Sequence, residues 1–315
     1  MSSPTLAFLA VLSLLSPLGL SAAKREACSL QAVHDSVAGE GHVCTDDEVR
    51  ERALSGNPFE ENQMGIAALL RNSGDGFAEA LTWFQQAAKR NYPAAQVNLG
   101  LMYFHGWGVE QDYALALHYF TLAADAGYGA ANYDLGLMFF QGDGVRRDYA
   151  MALTYFQRSA AKGDPNGEGA MGLIYDFGYG VASDPAVAAE WYRKAAEQGN
   201  ASAQCNLALL YYLGKGVPKD LDEAFRWFQR AATRGNLEAR VNVGYMYLKG
   251  WGTTRDAESA YVWVKAAEAG GNPKATALVA KLEGQLSGEQ RERARRHASE
   301  LSPNGSDVTI AGITQ

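Results

Sequence analysis

Chemistry in this chain would have to come from a few polar and nucleophilic groups, and the first candidates lie between Gly100 and Asp112. There His105 precedes Gly106-Trp-Gly108, with Glu110 and Asp112 following. Such a stretch could be a glycine-rich loop that cradles a phosphate with its backbone N–H groups. It could instead be a pocket in which His105 works as base or metal ligand. A base needs a partner within hydrogen-bond reach, and no Cys, Asp or second His lies at ligand spacing from His105, so a surface or groove role is expected. His34, His42 and Cys44 form a second cluster, but their spacing matches no common zinc pattern. Serine hydrolysis would call for a Gly-x-Ser-x-Gly elbow, which does not occur. The single Ser-x-x-Lys match, Ser21 to Lys24, has no Lys-Thr-Gly after it.

The glycines themselves decide between loop and bend. Gly-x-Gly recurs at Gly106/Gly108, Gly142/Gly144, Gly178/Gly180, Gly214/Gly216 and Gly250/Gly252, always 36 residues on. Trp107, Asp143, Tyr179, Lys215 and Trp251 fill the middle position. A phosphate loop would not place Asp143 at its centre, nor appear five times. An acid follows in register at Asp112, Asp148, Asp184, Asp220 and Asp256, each just before a helical pattern. These five carboxylates read as N-caps rather than catalytic acids. Pro185 at a first helical position and Glu223 three residues after Asp220 strengthen that reading.

What positions these residues is a repeated pair of helices. The second helix of each unit carries an aromatic pair and then small residues, as in Tyr119-Phe120 with Ala123-Ala124 and Trp227-Phe228 with Ala231-Ala232. Offsets of three and four put rings and alanines on one face, where a neighbouring helix can approach. The helices stop at Gly127, Gly163, Gly199, Gly235 and the Gly270-Gly271 pair, as expected for a left-handed residue after a helix. An earlier irregular copy has Trp83-Phe84 and stops at Asn91. A lone helix pair cannot bury its apolar face, so stacking is required. The expected organisation is an N-terminal cap segment over 24–61, a solenoid of about six repeats plus a partial one over 62–286, a capping helix over 287–302 and a disordered tail over 303–315.

The 315 residues are 47% hydrophobic and 20% charged, enough for a large core. A net charge of −7 with no long basic stripe argues against nucleic acid as a partner. The first 23 residues are uncharged, with an apolar run Leu6–Leu15, Pro17, and the small-residue end Ser21-Ala22-Ala23. We read this as a secretory signal cleaved between Ala23 and Lys24, giving a periplasmic or secreted protein with no stable membrane insertion. In an oxidising compartment Cys28 and Cys44 could form a disulfide across a core-poor segment. Cys205 lies in an apolar helical pattern and reads as a small buried hydrophobe. Between Asp35 and Glu61 eight acids face two arginines, a solvated surface or a dock for a basic partner.

The unit LGxxYxxGxGVxxD followed by aromatic pair, alanine pair and glycine resembles the Sel-one-like repeat, a relative of the tetratricopeptide repeat. The match departs at Ala208 and Thr253. The resemblance implies an all-α, right-handed α-solenoid that binds proteins or peptides on its concave face, without a cofactor. Exported bacterial members are often adaptors of the envelope, secretion or virulence, so the implied function is a non-catalytic exported scaffold. Some cysteine-rich members are described as penicillin-binding or weak β-lactamase proteins, but they carry a disulfide in nearly every repeat. This chain has at most one.

Columns that stay constant between units serve packing, and columns that change are free for a partner. On the first helix the changing columns run through Val97, Tyr133, Gly169, Cys205 and Val241; then Phe104, Phe140, Asp176, Tyr212 and Leu248; then His105, Gln141, Phe177, Leu213 and Lys249. Positions i, i+7 and i+8 share a helical stripe. With Trp107, Tyr179 and Trp251 from the turns, this stripe is the expected groove. The competing expectation is that its aromatics pack between neighbouring units.

Overall fold

The computed structural model describes residue 51 and residues 53–301. The expected signal segment, Cys28, Cys44, His34, His42 and the residues after 301 lie outside the described residues. Among those residues every regular element is an α-helix, numbered here α1 to α14. They fall into two compact units, whose boundary lies between Gly167 and Glu168.

The first unit holds α1 (Pro58–Leu70), α2 (Gly74–Lys89), α3 (Pro93–His105), α4 (Tyr113–Asp125), α5 (Gly129–Gln141), α6 (Tyr149–Ala161) and the first residues of α7 (Pro165–Phe177). The second holds the rest of α7, then α8 (Pro185–Glu197), α9 (Ala201–Leu213), α10 (Leu221–Thr233), α11 (Leu237–Lys249), α12 (Ala257–Ala269), α13 (Pro273–Glu283) and α14 (Gly288–Leu301). Consecutive helices pack as antiparallel pairs within each unit, the all-α solenoid that the sequence periodicity calls for. Because α1 starts at Pro58, the expected boundary between 61 and 62 cuts a helix. Glu60 and Glu61 are buried rather than solvated, and Arg90 Nε reaches Glu61 Oε1 at 3.3 Å.

Each repeated signal has a visible physical task. Asp112, Asp148, Asp184, Asp220 and Asp256 each accept hydrogen bonds from two backbone N–H groups of the following first turn. The capping box expected at Asp220 and Glu223 does not close. The Asp220 N–H donates to the Tyr211 carbonyl at 3.0 Å, so Glu223 finds no free amide there and pairs with Arg226. The same turn-closing bond runs from Asp112 to Tyr103, Asp148 to Phe139, Asp184 to Tyr175 and Asp256 to Tyr247.

Both glycines of the turn are left-handed, Gly106 at φ 72° and Gly108 at φ 69° in the first copy. The second glycine is also a point of close approach. A Cβ on Gly144 would lie 2.2 Å from Tyr113 Cβ, and one on Gly252 would lie 2.0 Å from the Leu221 carbonyl oxygen. The chain therefore needs glycine there to seat each turn on the preceding second helix. The ends of those second helices at Gly127, Gly163, Gly199, Gly235 and Asn91 are left-handed, and of the final glycine pair it is Gly271 that takes this role.

The core is a chain of overlapping clusters inside each unit. The second ring of each aromatic pair is its centre: Phe84, Phe120, Phe156, Tyr192 and Phe228 are buried. Four of them, Phe84, Phe120, Phe156 and Tyr192, press on Gly65, Gly100, Gly136 and Gly172, where an added Cβ would come within 2.5 Å of the ring. Each buried ring is worth about 1.5–3 kcal/mol. The first ring lies closer to the surface and stacks across the helix pair, Tyr119 on Tyr103 at 5.8 Å and Tyr155 on Phe139 at 5.5 Å. Cys205 is a buried free thiol, and burial raises its pKa.

Candidate partner-binding surface

The expected groove residues separate once neighbours are in place. In the first unit, His105 ends α3 and is exposed. Its ring stacks on Trp107 with centroids 4.5 Å apart and planes 23° apart, and meets Phe104 edge-on at 4.9 Å. Desolvation by the neighbouring rings lowers the His105 pKa. Phe104 is half-buried against Tyr113 at 5.2 Å. Gln111 fixes this turn, its Nε2 donating to the Phe104 carbonyl at 2.7 Å and the Tyr113 hydroxyl at 3.1 Å. Phe140 is only 8% exposed and packs on Tyr149 and Phe156, so here the groove expectation is corrected in favour of packing. Tyr133 is half-buried over Phe156, and desolvation with the nearby Asp134 and Asp164 carboxyls raises its hydroxyl pKa.

In the second unit, Asp176 is buried and accepts Lys215 Nζ at 2.6 Å, which leaves little of it for a partner. Phe177 next to it is 42% exposed, stacks on Tyr179 at 5.9 Å, and carries the Lys215 ammonium over its ring at 5.6 Å. Tyr212 is half-buried against Trp251 at 5.6 Å, with Lys219 Nζ 5.8 Å from its ring centre. Leu213 is 45% exposed and Lys249 is exposed.

Of the three columns, only one is therefore a surface in every repeat. His105, Gln141, Phe177, Leu213 and Lys249 are all exposed, whereas Val97, Cys205, Val241, Phe140 and Leu248 are buried. The reason is angular. At about 100° per residue, a step of seven returns to within about 20° of the start, but a step of eight lands about 80° away. The first two columns share the packed face, and the third leans out at the helix end beside the middle residue of the glycine turn. What the arrangement offers inside each unit is differing side chains at the helix ends of a repeated frame, the kind of surface on which a repeat protein can recognise a partner.

A second periodic set was not anticipated from the sequence. Gln96, Asn132, Glu168, Gln204 and Arg240 recur every 36 residues and are all buried. Two of them, Gln204 and Arg240, satisfy carbonyls that helix packing would orphan. Gln204 Nε2 donates to the Ala196 carbonyl at 2.9 Å, near the end of α8. Arg240 does more: its Nε donates to Ala232, Nη1 to Ala266 and Nη2 to Leu301, at 3.2, 3.2 and 2.7 Å. These three carbonyls lie at the ends of α10, α12 and α14, where the helix dipoles favour a cation. One polar residue per period inside an apolar helix was the available signal.

Six consecutive segments of the chain, 73–92, 93–128, 129–164, 167–200, 201–236 and 237–272, match the family profile described as Sel1 repeat. The chain is similar to the solved Sel1 repeat protein from Oxalobacter formigenes, with 32% identity over 78% of this chain and 99% of that one, at a TM-score of 0.65. It also aligns with c5321, a protective antigen of uropathogenic Escherichia coli displaying an SLR fold, at 27% identity and a TM-score of 0.46. That alignment covers 85% of this chain and 64% of the antigen. A Pseudomonas aeruginosa protein, 5086, shares the fold at 18% identity, covering 80% of this chain and 86% of that one, with a TM-score of 0.51. No curated protein sequence matches the chain.

Proposed function

Because the chain belongs to the Sel1 repeat family, whose members are generally protein-interaction scaffolds, we propose that it is a non-catalytic adaptor that holds a protein or peptide segment along the exposed residues Phe177, Leu213 and Lys249 of its second unit. The observation that carries this reading is the split between columns. Caps, glycines and buried rings repeat from unit to unit, while His105, Gln141, Phe177, Leu213 and Lys249 share exposure and no chemistry. Packing accounts for the first group and leaves the second free to differ. In the second unit Tyr179 and Trp251 extend that surface and Tyr212 supports it from below, as Trp107 and Phe104 do beside His105 in the first. Aromatic anchors of this kind concentrate binding energy in a few contacts.

The uncharged N-terminal segment supports export through the membrane, with the envelope or the exterior as the site of action. No described helix is long and apolar enough to cross a membrane. Expression with the native N-terminus, followed by fractionation and Edman sequencing, should give a mature chain starting at Lys24. A cytoplasmic chain retaining Met1 would reject export.

For the binding reading, crosslinking from the envelope should identify a partner whose affinity falls at least tenfold in the Phe177→Ala, Leu213→Ala double variant. The unfolding free energy should stay within the spread of surface substitutions, about 0.5 kcal/mol. Unchanged affinity would remove the exposed column from the interface. Steady nitrocefin turnover by chromatographically pure protein would replace the scaffold reading with an enzymatic one.

A further inference from the structure

The exposed column ends in a place unlike the rest of it. Leu248, Lys249, Arg255, Lys281 and Gln285 line a cleft of about 330 Å³ between the C-terminal parts of α11 and α13. Leu248 forms its buried floor, and the other four residues are exposed. Among the described residues, none of the three cations has a carboxylate within ion-pair distance. The nearest acids in sequence are committed elsewhere. Asp256 accepts from the Glu258 and Ser259 N–H groups and from the Ser259 hydroxyl, and Glu283 accepts from the Tyr261 hydroxyl and Arg295.

Arg255 is also spare in a way that two of its counterparts are not. At the equivalent position, Gln111 donates to the Phe104 carbonyl and Ser183 to the Asp176 carbonyl. Arg255 makes no such bond to its own helix end, so its guanidinium is available. One unit earlier, the positions of Lys249, Arg255, Lys281 and Gln285 are held by Leu213, Lys219, Tyr245 and Lys249. The triple-cation arrangement is therefore a property of this cleft and not of the repeat. Three like charges around one hollow repel, and a bound anion relieves that repulsion with charge-assisted hydrogen bonds.

The geometry points to a carboxylate-binding subsite: the Lys249, Arg255 and Lys281 cleft takes an acidic side chain or the terminal carboxylate of the peptide that lies along the exposed column. This rests on the peptide-scaffold reading and adds the partner's chemistry to it, an acidic segment with apolar residues toward Phe177 and Leu213. The chain's net charge of −7 makes such a local cationic site discriminating, since acidic partners are repelled elsewhere.

The test uses the full chain and three short fluorescent peptides: alternating Leu and Glu with a free C-terminus, the same peptide with Gln for Glu and an amidated end, and one with Lys for Glu. Anisotropy should show the acidic peptide binding about tenfold more tightly than the Gln peptide at low salt, with the advantage screened near 1 M salt. The K249Q, R255Q, K281Q triple variant should lose that preference while melting no lower than the parent. An acidic peptide blocked only at its C-terminus distinguishes side-chain from terminal carboxylate capture. Equal binding of acidic and Gln peptides, or a preference that survives in the triple variant, overturns the subsite and leaves the scaffold reading standing. Binding of none of the peptides also overturns the subsite, whereas the scaffold reading stands or falls on the crosslinking experiment.

Discussion

At the scale of single residues, Asp134 is the most instructive. It occupies the column that holds Asn98, Asn206 and Asn242 in other units, a position where Asn98 Nδ2 donates to Asn62 Oδ1 at 2.9 Å. Burial, and secondarily the Asp164 carboxyl, holds the Asp134 pKa well above the usual carboxylate range. An acid with a raised folded pKa favours the folded state below its unfolded pKa, about 4. That contribution is lost as pH rises through the folded value. Asp134→Asn should therefore stabilise the protein at pH 7 by about 1 kcal/mol or more, with the gain shrinking toward pH 4. Urea melts across this range measure it, and an equal effect at both pH values would show that charge is not the cause. The glycine turns give a second comparison. Gly250 and Gly252 have φ of 70° and 64°, but a Cβ on Gly250 meets its nearest neighbour at 3.4 Å and one on Gly252 meets Leu221 at 2.0 Å. Gly250→Ala should cost about 1 kcal/mol, and Gly252→Ala about 2–3 kcal/mol more. Equal costs would mean that backbone conformation alone selects glycine there. The two glycines of each turn look identical in the sequence, because the close approach that separates them comes from another helix.

At the scale of elements, the caps and stops were legible and the helix ends inside the packing were not. Asp148 before Tyr149 and Gly163 after α6 announce their roles locally, since both bond within one turn of themselves. Arg240 gives no such notice. Its carbonyl partners are 8, 26 and 61 residues away, and a lone arginine in an apolar helix reads as a surface residue. It ties α14, the last described helix, to α10 and α12. Arg240→Met keeps the bulk and removes the donors, leaving terminal carbonyls unsatisfied, and should destabilise the second unit by about 2–4 kcal/mol. Hydrogen exchange should show α14 opening first, because Ala294 and Ala298 are its only buried residues. If α14 stays as protected as α12 in the variant, the arginine is not its anchor.

At the scale of the whole molecule, a repeat protein distributes stability over neighbouring contacts rather than one centre. Gly144→Ala in the first compact unit disturbs Tyr113, and Gly252→Ala in the second disturbs Leu221. Their costs should add within about 0.5 kcal/mol in the double variant, as chemical denaturation can test. A coupling above 1 kcal/mol would mean that the strain at one glycine reaches the packing around the other. The same distribution lets the exposed column differ freely, since His105, Phe177 and Lys249 are not held by the contacts that keep the frame.

The sequence by itself determined the helix pairs, their 36-residue period, their aspartate caps and left-handed stops, because each depends on groups within one or two turns of chain. It also placed the aromatic pairs in the core through their offsets from the small residues. Only the tertiary structure decided which variable column faces solvent, why Phe140 and Asp176 turn inward while Phe177 does not, and that Gln204 and Arg240 are buried. It alone brought Lys249, Arg255 and Lys281 around one cleft. Burial at those positions is set by side chains of the next unit and by a rotation of about 80° for one extra residue, and neither is written in any single stretch of the chain.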